Sequence, residues 1–242
     1  MKAISEKHGD ITVVAITDIG DNHRVMLMPN QDSIRFSFYD EDFVLAISDG
    51  VGSCSCADIG SKAAVEACIQ VFTDFKLRRI PFGRDAIANA LLDSWKNLLG
   101  DCAPDDCCAT LKAVFKVGNS IEAISIGDGI LAVTSDGIGM KSPSEEVSFT
   151  NETKCLSSRA TPNDFWVADF RLDTYKSYAV MCCTDGVSNG LIEGTELKLL
   201  TDIEKSVKED DLEAELIELI QDISEYCFDD RTIGVIKHER KN

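Results

Sequence analysis

Residues 43–60, FVLAISDGVGSCSCADIG, decide how this chain is read. The apolar run over 43–47 shows no polar alternation, which is the pattern of a strand covered on both faces. It stops at Ser48-Asp49-Gly50, and small residues then lead into a helix over about 57–75, where Ala63, Ala67 and Val71 recur every four positions. Asp49 therefore stands at the tip of a buried strand. A lone Asp-Gly is an ordinary turn, so its meaning depends on what the other strand ends carry.

On the N-terminal side, SIRFSFYD (33–40) reads as a strand paired with DFVLAIS (42–48) through an acidic turn at Glu41. Positions summing to about 82 then face each other, which sets Asp32 almost opposite Asp49 and Gly50. ITVVAIT (11–17) reads as a further strand. On the C-terminal side, a second helix over 84–99 carries the stripe Ile87, Leu91, Leu92, Trp95 and Leu98 and stops at Gly100. Strands follow at 110–117 and 121–126, joined at Gly118-Asn119, then at 130–135, 139–142 and 178–184. Acidic amphipathic helices are expected near 195–207 and 210–226, the second with Leu212, Leu216, Leu219, Ile220 and Ile223 inward. A strand over 232–238 closes the chain.

This order predicts an α+β, four-layer αββα sandwich. Two mainly antiparallel sheets pack together, and each outer face takes a helix pair. With no linker, repeat or low-complexity segment, residues 1–242 read as one domain.

Every core strand then ends or begins at an aspartate. Asp32 and Asp49 share one hairpin end. The 110–126 hairpin delivers Gly127-Asp128 beside Thr110, the 178–184 strand runs into Asp185-Gly186, and the last strand starts after Asp229-Asp230. Carboxylates brought together raise one another's pKa unless a cation neutralises them. All-oxygen donor sets suit hard divalent ions such as Mg²⁺ or Mn²⁺, and two such ions can bind a phosphate and activate water. The three histidines, His8, His23 and His238, offer no Ser/His/Asp or Cys/His arrangement. Neither a CxxxxxR loop nor a GxxxxGK[ST] loop occurs.

Composition narrows the setting. There are 42 acidic and 24 basic residues, a net charge of −18, so no basic face is expected and no nucleic-acid partner. No run approaches the roughly 20 apolar residues of a membrane span. The start, MKAISEKHGDITVV, lacks an apolar signal core, which points to the cytoplasm. The ten cysteines form no CxxC pair and several lie in apolar runs such as AVMCCT, so they read as reduced, small core residues.

NQDS (30–33), ISDGVGS (47–53), SIGDG (125–129), CTDGVSNGL (183–191) and DDRTIGVI (229–236) together resemble the ordered motifs of the PP2C-type, metal-dependent Ser/Thr protein phosphatases, in their divergent bacterial branch. The resemblance implies that Asp32, Asp49, the Gly50 carbonyl, Asp185 and Asp229 hold two Mg²⁺ or Mn²⁺ ions, with Asp49 bridging them. It places Asp128 at a weaker third ion. It implies hydrolysis of phosphoserine and phosphothreonine by a water that the ions activate, on phosphoprotein substrates linked to a Ser/Thr kinase or its targets. The chain departs from the pattern where many members carry a phosphate-gripping arginine. That position is Leu27, and Arg24 is the nearest basic substitute. Asn189 stands where a third-metal carboxylate occurs elsewhere, and Val51 where animal-type members carry histidine. These departures support a second reading, a pseudophosphatase serving as a signalling or scaffold module. Cys54 and Cys56 read as small loop residues without a redox role.

Overall fold

The run that opens the sequence reading is an interior strand of the smaller sheet. The computed structural model describes residues 1–81, 83–143, 154–173 and 176–239. In chain order its elements are β1 (Lys2–His8), β2 (Ile11–Asp18), α1 (Asp21–Met26), β3 (Asp32–Tyr39), β4 (Asp42–Asp49), α2 (Ala57–Lys76) and α3 (Arg84–Leu98). Next come β5 (Leu111–Val117), β6 (Ser120–Ile126), β7 (Ile130–Ser135), β8 (Ile138–Lys141), β9 (Trp166–Arg171) and β10 (Tyr178–Cys183). Helices α4 (Asp185–Ser188), α5 (Glu196–Ser206) and α6 (Leu212–Ser224) precede the last strand, β11 (Arg231–His238).

One sheet has the order β1-β2-β11-β10-β7-β8 and the other β3-β4-β5-β6-β9. Every named pairing is antiparallel. The layering follows from alternation along each interior strand. In β4, Val44 and Ala46 pack with Ala64, Phe72 and Trp95 of α2 and α3. Its other face, Phe43, Leu45 and Ile47, packs with Val180 and Cys182 of β10 and Ile236 of β11 between the sheets. In β10, Ala179, Met181 and Cys183 turn outward onto Leu200 of α5 and Leu216 and Ile220 of α6. The result is the expected αββα sandwich, with three apolar layers and a helix pair on each outer face.

Edge elements are where sequence and structure part. Strand β1 is almost wholly exposed and pairs only with β2, α1 buries no residue, and β9 forms the far edge of the smaller sheet. None of the three is expected from the sequence pattern. Among the described residues, no helix is long and apolar enough to cross a membrane, and none of the ten cysteines forms a disulfide.

Candidate metal centre

Strand register brings the aspartates to one end of the sandwich. Asp32 of β3 pairs directly with Asp49 of β4, one position from the sequence expectation. In the other sheet, Cys183 pairs with Ile130 on one side and Ile233 on the other. This register lines up the Asp128 turn, Asp185 at the start of α4, and Asp229 before β11.

Hydrogen bonds fix the hairpin end that carries Asp49 and Asp32. Asp49 N–H donates to Thr110 Oγ1 (3.1 Å), and Asp49 O accepts from Thr110 N–H (2.8 Å). Both bonds are made by the Asp49 main chain, so neither occupies its carboxylate. Asp32 is buried, and its Oδ2 accepts from Thr184 Oγ1 at 2.8 Å. Thr184 Oγ1 in turn accepts from Thr232 N–H at 3.1 Å. Asn30 Oδ1 caps the Asp32 N–H at 2.8 Å. Gly50 forms a bridge with Ala109, and a Cβ there would lie 2.4 Å from the Ala57 carbonyl oxygen. Glycine is therefore required because the loop folds back against the start of α2, a constraint on approach rather than on φ.

Electrostatics show that these carboxylates share one field. Burial raises the Asp49 carboxyl far above the ordinary range, and repulsion from Asp32, Asp185 and Asp128 adds to it. Burial also raises Asp32, against the opposing hydrogen bond from Thr184. Asp185 is pushed up to about 6 by burial and then by Asp128 and Asp229. The Asp32 Oδ1 atom is buried with no hydrogen-bond partner among the described residues. Like-charged, partly orphaned carboxylates of this kind fit a divalent cation with a preference for oxygen ligands. The donor set contains no sulfur or imidazole, which favours Mg²⁺ or Mn²⁺ over softer metals.

Residues 19–221 match the sequence profile of the family described as protein phosphatase 2C. The chain belongs to the protein phosphatase 2C family. No curated protein sequence matches it. Among solved structures, this phosphatase 2C chain is similar to RsbX in complex with magnesium, at a TM-score of 0.66 and 14% identity, covering 98% of this chain and 100% of that one. It is similar to the S. agalactiae serine/threonine phosphatase at 0.66 and 18%, covering 95% and 100%. It is also similar to the catalytic domain of the phosphatase PstP in complex with two manganese ions, at 0.61 and 18%, covering 95% and 99%. These likenesses establish the shared fold.

Arg24 and Asn189 of this phosphatase 2C chain each lie against a carboxylate. Arg24 donates to Asp18 Oδ1 (2.7 Å) and Asp21 Oδ1 (3.4 Å), carboxylates outside the group of five. Asn189 is exposed, and its Nδ2 donates to Asp185 Oδ2 at 3.5 Å.

Three supporting residues escaped the sequence reading. Lys112 of β5 is buried and donates to Gly127 O at 2.6 Å and Ile126 O at 3.3 Å, holding the Asp128 turn. Thr184 orients Asp32; its signal is only a hydroxyl beside Asp185. Asp230 is the second half of the Asp229-Asp230 pair and is 2% exposed. It accepts from Gly20 N–H (2.7 Å) and Gln31 N–H (2.6 Å), and His23 Nδ1 lies 2.8 Å from its Oδ2. One carboxylate thus ties α1, the loop before β3 and the start of β11 together. Asp230→Ala leaves those donors unpaired, at about 1–3 kcal/mol for each buried one. The melting temperature of the metal-free protein is expected to fall by about 10 °C. A melting curve matching the parent's would remove Asp230 from this role.

Proposed function

We propose that the chain is a Mg²⁺- or Mn²⁺-dependent phosphatase that removes phosphate from phosphoserine and phosphothreonine in proteins. The observation that carries this reading is the convergence of Asp32, Asp49, Asp128, Asp185 and Asp229 at one sandwich end, with a buried carboxylate oxygen left unpaired. In it, Asp32, Asp49, the Gly50 carbonyl, Asp185 and Asp229 hold two ions, and Asp128 holds a weaker third. When bound, the ions neutralise phosphate charge and make water a competent nucleophile at neutral pH. RsbX with magnesium and PstP with two manganese ions are consistent with that choice of metal.

The chain's own residues do the positioning. Thr184 keeps one Asp32 oxygen occupied, and the other is buried without a hydrogen-bond partner among the described residues. Lys112 holds the Asp128 turn through main-chain carbonyls, and Asp230 locks the loops on either side. Residues 1–242 acting as one domain, a cytoplasmic setting, and substrates drawn from the targets of a Ser/Thr kinase complete the proposal. Phosphate release from phosphoserine, phosphothreonine and phosphotyrosine peptides tests the substrate class. Release from the first two is expected, and turnover confined to phosphotyrosine would overturn it.

Two substitutions probe finer assignments. Arg24 is 46% exposed but held by Asp18, so a substrate phosphate gains it only in competition with that carboxylate. Arg24→Ala is expected to raise KM by up to about tenfold with kcat held. An unchanged KM would take Arg24 out of phosphate binding. Asn189→Asp adds a charge beside Asp185 and should lower the Mn²⁺ concentration for half-activation by about threefold or more, since ligand charge tunes divalent affinity. An unchanged activation curve would show that position 189 does not feel the third ion.

A further inference from the structure

Six of the ten cysteines belong to three segments beside the aspartate centre: Cys54 and Cys56 after β4, Cys102, Cys107 and Cys108 between α3 and β5, and Cys155. The segments are stitched together by main-chain bonds. Cys56 N–H donates to Asp106 O (2.9 Å), Val51 N–H to Cys108 O (2.9 Å) and Leu156 N–H to Ala109 O (2.8 Å). Helix α2 is pressed against the second segment so closely that a Cβ on Gly60 would lie 1.9 Å from Cys107 O.

The sulfurs divide into two kinds. Cys54 and Cys108 each donate to the Asp105 carbonyl at 3.4 Å, and the Cys108 thiol lies beside those of Cys54 and Cys155. Cys56, Cys102 and Cys107 converge as a trio, with all three Sγ atoms within 4.8 Å of each other. A point equidistant from three such atoms lies within about 2.8 Å of each, and a zinc–thiolate bond is about 2.3 Å, so a small contraction completes the contact. Cys107 is buried while Cys56 and Cys102 are half-buried, which leaves an open side toward solvent for a fourth ligand.

We propose that Cys56, Cys102 and Cys107 form a tri-thiolate site for a thiophilic divalent ion, Zn²⁺ first. Soft sulfur donors reject Mg²⁺ and Mn²⁺, so this site and the all-oxygen centre sort metals by hardness although one loop, 50–56, serves both. Burial pushes the Cys107 thiol up to about 12, with Cys102 and Cys56 adding to it, and burial raises Cys102 as well. Without a metal the Cys107 and Cys102 thiols therefore keep their protons, and binding releases them to solution as thiolates form. The bound ion would clamp the loop that follows Asp49 to the loop that precedes β5. The proposal stands independently of the phosphatase reading.

Cobalt(II) titrated into the reduced, metal-free 242-residue chain tests it. One equivalent should produce a thiolate-to-cobalt charge-transfer band in the near ultraviolet, and one equivalent of Zn²⁺ should bleach it. Cys56→Ser and Cys102→Ser, both at half-buried positions, should each weaken cobalt binding about 100-fold or abolish the band. Cys54→Ser and Asp49→Ala should keep it, which separates this site from its neighbours. The proposal is overturned if no sulfur band forms, or if the band survives in both Cys56→Ser and Cys102→Ser.

Discussion

Asp49→Ala is expected to lower Mn²⁺-dependent turnover by at least about 10³-fold while making the metal-free protein more stable than the parent. The first half follows if Asp49 bridges two ions, because losing that placement forfeits several kcal/mol of charge stabilisation, and about 4 kcal/mol corresponds to 10³ in rate. The second half follows from the raised Asp49 carboxyl, which burial and the charges of Asp32, Asp185 and Asp128 make costly to ionise. Alanine removes that repulsion and keeps both main-chain bonds to Thr110. A merely structural residue would show the opposite pairing, with stability lost and specific activity kept. Phosphatase assays and melting curves on the same preparation separate the two.

The second large effect is a dependence of stability on pH that metal reverses. Asp185 has a folded value of about 6 against an ordinary 3.8, and Asp32 and Asp49 are raised in the same direction. Between those values the unfolded chain binds fewer protons than the folded one, so stability falls as pH rises. The contribution is whole below about pH 4, is lost through about pH 6 for Asp185, and continues to fall above that for the other two. From pH 5 to pH 8 the metal-free melting temperature is expected to drop by about 10 °C, a few kcal/mol. Saturating Mn²⁺ should abolish most of the drop, because the cation takes over from the proton. Glu122, raised to about 7 chiefly by burial, adds a smaller fall of the same sign. That part should persist in Mn²⁺ and vanish in Glu122→Gln. A metal-free protein equally stable at both pH values would mean that the carboxylates do not share a buried field.

The interior of this fold was legible because its strands are covered on both faces. The runs FVLAIS and YAVMCC announce themselves by composition alone, and a tight turn near Glu41 is enough to fix the pairing that sets Asp32 against Asp49. Strand β1 carries KAISEKH with most of its side chains exposed, and it is paired with β2 through the main chain. No periodicity marks such an edge. The same applies to α1, which buries nothing and ends at Leu27 with φ of 56°. The five aspartates were legible because each terminates or precedes a recognisable strand. Their supports were not, since Asp230 meets Gly20, His23 and Gln31 across some 200 residues. Thr184 reaches Asp32 across a similar gap. Cys56, Cys102 and Cys107 likewise meet only through the fold, and as isolated letters they read as small loop and core residues.

The central claim is that the aspartate cluster works as a divalent-metal centre for phosphate hydrolysis. Its most direct test is p-nitrophenyl phosphate hydrolysis followed as Mn²⁺ is titrated into chelator-treated protein, with binding measured calorimetrically in parallel. No turnover is expected before addition, activity should rise as two equivalents bind, and both signals should be lost in Asp49→Ala. Turnover indifferent to chelator, or tight binding of two ions with no hydrolysis of this ester or of any phosphopeptide, would contradict it.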